Sequence, residues 1–136
     1  MASIRKELII DAPAEHVWAA LRDVGNVHNR LARDFVIDTR LEGDSRLVTF
    51  ANGEVVRERF VDIDDRARRL AYAVVDWRTT HHNASFQVAA NGEGSSRLTW
   101  ITDLLPDSLA DLVGGFVEHG CVAIKRTLEA SARTTE

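Results

Sequence analysis

The sequence predicts an α+β fold: a curved antiparallel sheet of seven strands wrapped around a long C-terminal helix, with two short helices after strand one. Three observations predict it. Short runs of alternating polar and apolar residues, separated by turn residues, fill most of the chain before Pro106. An apolar stripe at helical spacing then runs through Leu109, Leu112, Val113, Phe116, Val117, Cys121, Ile124 and Leu128. No internal repeat, low-complexity stretch or linker interrupts the 136 residues, so one domain spanning 1–136 is expected.

The elements follow in order. Ile4 to Ile10 alternates before a β-branched pair, and Asp11-Ala-Pro13-Ala-Glu15 then supplies a proline and an acidic residue for a first helical turn. Val17, Trp18, Leu21 and Val24 continue that helix, Gly25 stops it, and Asn26 to Leu31 has room for a second short one. Strands are expected at Phe35 to Leu41 and Arg46 to Phe50 around Glu42-Gly43-Asp44, and Asn52-Gly53 is a hairpin signal leading into Val55 to Ile63. Asp64-Asp65 precedes a strand at Leu70 to Val75, and a loop around Asp76 to Thr80 precedes Asn83 to Ala89. Asn91-Gly92-Glu93-Gly94 precedes Arg97 to Leu105. Pro106 ends the last strand, and Asp107 or Ser108 is expected to cap a helix of about six turns reaching Ser131, with Asp111 three residues after Ser108 as an approximate capping box. Consecutive tight turns imply an antiparallel meander.

Glycines interrupt the apolar stripe of that last helix at Gly114, Gly115 and Gly120. Each costs roughly 1 kcal/mol relative to alanine in a helix interior, so the expectation is that room is being left beside the helix for a cavity. A net charge of -4 and a pI near 5.7 argue against a nucleic-acid partner. No segment has the roughly 20 apolar residues of a membrane span, and no signal-peptide pattern opens the chain, so a cytoplasmic location is expected. The one cysteine, Cys121, falls on the apolar stripe as a buried packing residue.

Four stretches together resemble the helix-grip superfamily of START lipid-transfer domains, bacterial polyketide cyclase/dehydrase-like proteins and plant abscisic-acid receptors. They are Ile10-Asp-Ala-Pro-Ala-Glu-His-Val-Trp18, Val56-Arg-Glu-Arg-Phe60, Leu70-Ala-Tyr-Ala-Val-Val-Asp76, and Leu98-Thr-Trp100 followed by the glycine-bearing final helix. The resemblance implies a helix-grip fold with a ligand cavity between sheet and helix. It does not choose among the carriers, cyclases, receptors and interaction modules that share the scaffold.

Alternation alone leaves either face of Val55 to Ile63 open to the interior. The resemblance places Glu58 inside and Arg57 and Arg59 outside, which makes Glu58 the central polar candidate. A carboxyl group in a partly dry cavity holds its proton more tightly unless a cation lies near it, so ligand orientation, proton transfer and a purely structural role all stay open. The same parity brings Tyr72 and Val74 inward from one strand and His82, Ala84, Phe86 and Val88 from the next, facing Leu112, Phe116, Val117 and Gly120 of the helix. Trp77 occupies a loop position resembling the receptors' gate, although the gate's usual pattern is absent. Arg33 lies near the receptors' basic anchor for a ligand carboxylate, against the alternative of a solvated loop residue. Asp103 is either a cavity-mouth residue or an exposed carboxylate.

The histidines do not assemble into a metal site by pattern. His81 and His82 are adjacent on a strand and point to opposite faces, and a zinc site from His82, His119 and Glu58 would need all three to converge. No metal and no cofactor is expected. His119 stands as a polar cavity group or a surface residue, and His16 and His28 as surface residues. The expected function is binding or carriage of a small hydrophobic molecule of lipid, polyketide or isoprenoid type. The alternative is a polyketide cyclase/dehydratase with Glu58 and His119 as catalytic groups and Tyr72 assisting, and the weaker alternative is a protein-interaction module. A homodimer covering an edge strand or Trp77 is left open.

Overall fold

A computed structural model describes residues 2–134. Strand β1 (Ala2–Ile10) leads through Pro13, whose φ of -62° suits the start of a helix, into α1 (Ala14–Arg22). α1 buries Val17, Trp18 and Leu21 on one face. The expected second short helix is a single π-helical turn over Val27–Leu31, and β2 (Val36–Glu42), β3 (Ser45–Phe50) and β4 (Val55–Asp64) follow. The remaining strands are β5 (Arg69–Val75), β6 (His81–Ala90) and β7 (Ser96–Leu105), and a 3-10 turn at Asp107–Leu109 enters α2 (Ala110–Thr134). Ser108 therefore sits inside that turn, which begins after Pro106.

The strands make one antiparallel sheet in the order β1-β7-β6-β5-β4-β3-β2. Sequence neighbours pair from β2 to β7, as tight turns require, and β1 closes the series on β7. Gly43 at φ 59° and Gly53 at φ 92° occupy left-handed turn positions between β2, β3 and β4, where a Cβ would be strained. The β4–β5 turn is held by the Asp64 carboxylate, which accepts from the backbone N–H groups of Arg66 and Ala67 at 3.0 Å each. Register shifts at Val36/Asp38 and Phe60/Asp62 mark bulges in β2 and β4, a feature that bends strands and deepens sheet curvature.

The concave face carries the core. Ile10, Val17, Leu21, Leu70, Leu98, Ile124 and Leu128 are almost wholly buried where α1 and the C-terminal half of α2 cross the sheet. A smaller cluster of Leu104, Val113, Val117 and Cys121 packs the N-terminal half of α2 against β7 and β1. Cys121 is free and buried, and desolvation pushes its thiol upward in pKa. Leu112, expected to face inward, is 39% exposed. No helix among the described residues is long and apolar enough to cross a membrane.

Candidate functional site

Between the two core clusters the concave face and α2 do not meet completely, and a cavity of about 100 Å³ remains. Period-two alternation decides its walls. β3 contributes Arg46, Val48 and Phe50, β4 contributes Val56 and Glu58, β5 Tyr72 and Val74, β6 His82 and Phe86, and β7 Trp100 and Thr102. The helix supplies Val113, Phe116, Val117, Gly120 and Ile124, and the π-turn region closes one end with Val27, Leu31, Ala32, Phe35 and Val36.

Glu58 faces inward and is buried, while Arg59 is exposed and Arg57 half-exposed on the outer face, where Arg57 bonds Glu42. Glu58 is not a lone carboxylate. The register sets Arg46 of β3 directly opposite it, and Arg46 Nε donates to Glu58 Oε1 at 2.8 Å with both side chains almost fully buried. Arg46 also donates from Nη1 to the Val24 carbonyl at 3.2 Å, and its guanidinium lies 5.6 Å from the Phe60 ring centroid and 5.5 Å from that of Tyr72. Those contacts offset the desolvation of a buried charge that would be prohibitive alone.

Tyr72 beside this pair is a neutral phenol: burial first, and then the negative charge of Glu58, drive its pKa far above the ordinary tyrosine range. The Trp100 indole works weakly against that shift, yet its Nε1 lies outside hydrogen-bond geometry and is a buried donor without a partner. Trp100 stacks on Phe86 at 4.6 Å, and Phe86 on Tyr72 at 6.2 Å, so aromatic rings from three adjacent strands form one continuous wall.

His82 lies toward the other end. Desolvation, reinforced by His81, lowers its pKa to about 4, so it is neutral at pH 7, and its buried Nδ1 has no partner. Trp77 covers it at a ring separation of 6.3 Å and meets Phe116 edge-on at 6.1 Å. The Trp77 indole N–H donates to Glu54 Oε2 at 3.2 Å, and Arg78 pairs with the same carboxylate while lying 5.5 Å over the Trp77 ring. The β5–β6 loop is thereby tied to the β3–β4 turn across the cavity.

Several expectations change. His119 is exposed on the outer flank of α2, because the helical turn that directs Val117 and Gly120 inward turns His119 away. Arg33 is also exposed. Its backbone N–H donates to Thr127 Oγ1 at 3.0 Å and its carbonyl accepts from Arg126, which leaves the neighbouring Ala32 at the cavity wall. Asp103 is on the outer sheet face, accepting from Ser3 Oγ at 2.6 Å. His16 and His28 are half-buried instead of superficial, bonded to Ser131 and Thr39 respectively. The glycines also divide: a Cβ on Gly120 would sit 2.9 Å from Trp100, one on Gly114 would make ordinary contact with Ile4, and one on Gly115 would meet nothing. Gly120 thus makes room for an indole ring as well as for the cavity.

Arg46 and Trp100 line the cavity without having been expected there. Both positions follow from patterns already present: counting back across the Asn52-Gly53 hairpin pairs Arg46 with Glu58, and alternation along β7 puts Trp100 and Thr102 on the face of Leu98 and Leu104. Among the described residues no group of three His, Cys, Asp or Glu side chains converges as metal ligands would.

The family described as polyketide cyclase/dehydrase and lipid transport matches residues 1–135. The chain belongs to that family. Solved structures agree on the fold of this polyketide cyclase/dehydrase and lipid transport family member. An uncharacterised protein of Bacillus thuringiensis superposes with a TM-score of 0.82 at 21% identity, covering 93% of this chain and 98% of its own. An aromatase/cyclase of Streptomyces superposes at 0.75 and 18% identity, covering 97% and 93%. A START superfamily protein of Mycobacterium smegmatis does so at 0.74 and 13%, covering 98% and 99%. At these identities the likeness is one of fold: the helix-grip architecture is common to all three. A comparison with curated protein sequences finds no match.

Proposed function

We propose that this chain binds and carries a small hydrophobic molecule in the cavity between the sheet and α2. The observation that carries this reading is the self-sufficiency of the cavity's charges. Arg46 and Glu58 neutralise each other at 2.8 Å, and the rest of the wall is aromatic or aliphatic apart from Tyr72, His82, Trp100 and Thr102. Such a lining favours an apolar ligand oriented by one or two polar contacts. The family description, which covers both lipid transport and cyclase/dehydrase activity, supports a hydrophobic ligand in either case.

The cyclase/dehydratase reading draws on the family description and on the fold shared with an aromatase/cyclase. It needs a group that exchanges protons near neutral pH. Glu58 is engaged by Arg46, Tyr72 is held as a phenol, His119 is outside, and burial lowers the pKa of His82, the remaining candidate, to about 4, away from that range. Carriage therefore asks less of the residues present. The exposed-face interaction module has no comparable observation in its favour.

Native mass spectrometry of the purified protein, followed by denaturing extraction, tests the proposal. A copurified mass that is released on unfolding is expected. No bound mass, together with no thermal stabilisation by a panel of lipids, small aromatics and polyketide mimics, would overturn it, since a ligand at 100 times its Kd stabilises by about 2.7 kcal/mol.

A further inference from the structure

We infer that the outward face of α2 pairs with the same face of a second copy of this chain, as an antiparallel two-fold dimer. That face points away from the cavity, so the inference does not depend on the binding reading above.

The helix presents a stripe that its own chain leaves uncovered. Asp111, Gly115, Glu118, His119, Val122 and Arg126 are all exposed, Val122 at 64%. At about 100° per residue they fall within roughly 50° of the direction opposite the buried residues of the helix. Gly115 has no purpose within one chain. It weakens the helix interior, yet a Cβ there would meet nothing within 4 Å, so no close contact requires its absence.

A second copy supplies the reason. A two-fold contact uses one patch twice, so the patch must complement itself. With the helices antiparallel and the axis passing between Glu118 and His119, Gly115 lies opposite the partner's Val122, whose isopropyl group fills the notch left by the missing side chain. Asp111 lies opposite the partner's Arg126. Glu118 lies opposite the partner's His119, whose ring N–H can donate to the carboxylate. Symmetry repeats each contact, and these positions set no like charges against each other. Leu112, the other large apolar side chain exposed on α2, comes opposite the partner's Lys125, a residue whose methylene stem covers apolar surface. Contacts within the chain leave the charges available: Glu118 pairs with Lys6 at the surface, and Arg126 reaches Asp34 only at 3.9 Å while donating to the Arg33 carbonyl. One helix pair makes a small interface, below about 1,200 Å², so a dissociation constant on the order of 10–100 μM is expected.

Sedimentation velocity of the full chain over a concentration series tests this. The wild type should show a reversible monomer–dimer equilibrium. Asp111→Arg and Arg126→Asp each set like charges opposite one another in both symmetric contacts, and should each raise the dissociation constant on the order of tenfold or more. A mixture of the two variants pairs Arg with Asp at both contacts, and should recover the wild-type constant as a heterodimer. Arg126→Asp also removes the bond to the Arg33 carbonyl. Should it fail to fold, the Asp111→Arg, Arg126→Asp double variant drops out with it, and Val122→Glu, at an exposed position, makes the decision by placing two carboxylates in the seam. A wild type that stays monomeric throughout the series overturns the inference. So does a dimer whose constant is unchanged by Asp111→Arg and Val122→Glu, since that dimer uses another surface, and so does a mixture of folded single variants that fails to recover.

Discussion

Glu58 shows how one neighbour changes what a residue can do. Without a cation it would be a strained carboxyl suited to proton transfer. With Arg46 Nε at 2.8 Å it is half of a buried ion pair. Arg46→Ala should therefore destabilise the fold by about 3–5 kcal/mol, because it strands a buried charge, whereas Arg46→Met combined with Glu58→Leu should be close to neutral. Urea unfolding of the single and double variants checks this, and equal losses in both would contradict it. His82 makes a second prediction at this scale. Its folded-state pKa of about 4 lies below the ordinary 6.5, so the unfolded chain binds a proton that the folded chain refuses. That contribution is fully present above about pH 6.5 and is lost as pH falls toward 4. From the acid end of that window downward Glu42, Asp65 and Glu129, whose carboxylates are all held below their ordinary values of 4.5, 3.8 and 4.5, add a further loss. The unfolding midpoint should decline between pH 6.5 and 4, and His82→Gln should flatten the decline. An unchanged slope in the variant would show that another group titrates there.

At the scale of the element, α2 separates two reasons for a helical glycine. A methyl group on Gly115 would have no neighbour within 4 Å, so Gly115→Ala should stabilise by roughly 0.5–1 kcal/mol through backbone entropy alone. Gly120 is different. A Cβ there would lie 2.9 Å and 3.0 Å from Trp100 ring carbons, and that ring is fixed by its stack on Phe86. Gly120→Ala should cost on the order of 1–3 kcal/mol despite the better helix former. Thermal melts of the two variants should shift in opposite directions, and shifts of the same sign would refute the assignment. The same helix shows where periodicity misleads. Leu112 and Val113 both fit an apolar stripe, but only Val113 is buried, since neighbouring helix positions lie about 100° apart and one sheet face cannot cover both.

For the whole molecule the decisive feature is closure across distant segments. Glu54, at the β3–β4 turn, receives both the Trp77 indole and Arg78 from the β5–β6 loop, while Phe116 of α2 packs against the same Trp77 ring. Trp77→Ala should raise binding of a fluorescent apolar dye and lower stability on the order of 2 kcal/mol. Dye fluorescence unchanged from the wild type would mean that Trp77 does not cover the cavity. Local pattern was enough for the element order, the antiparallel meander and the apolar stripe of α2 that buries Val117, because turn chemistry and helical spacing are read within a few residues, while the inward parity of Tyr72 and Phe86 was carried over from that of Glu58. The inward face of Glu58 came from a resemblance across the chain, since alternation in β4 was symmetric. That Arg46 answers Glu58, that Trp100 occupies the space beside Gly120, and that His119 and Arg33 face away emerged only from the folded chain. Each of those depends on register between strands or on the rotation of a helix about its axis, and small angular or one-residue differences there, invisible in spacing, exchange inside for outside.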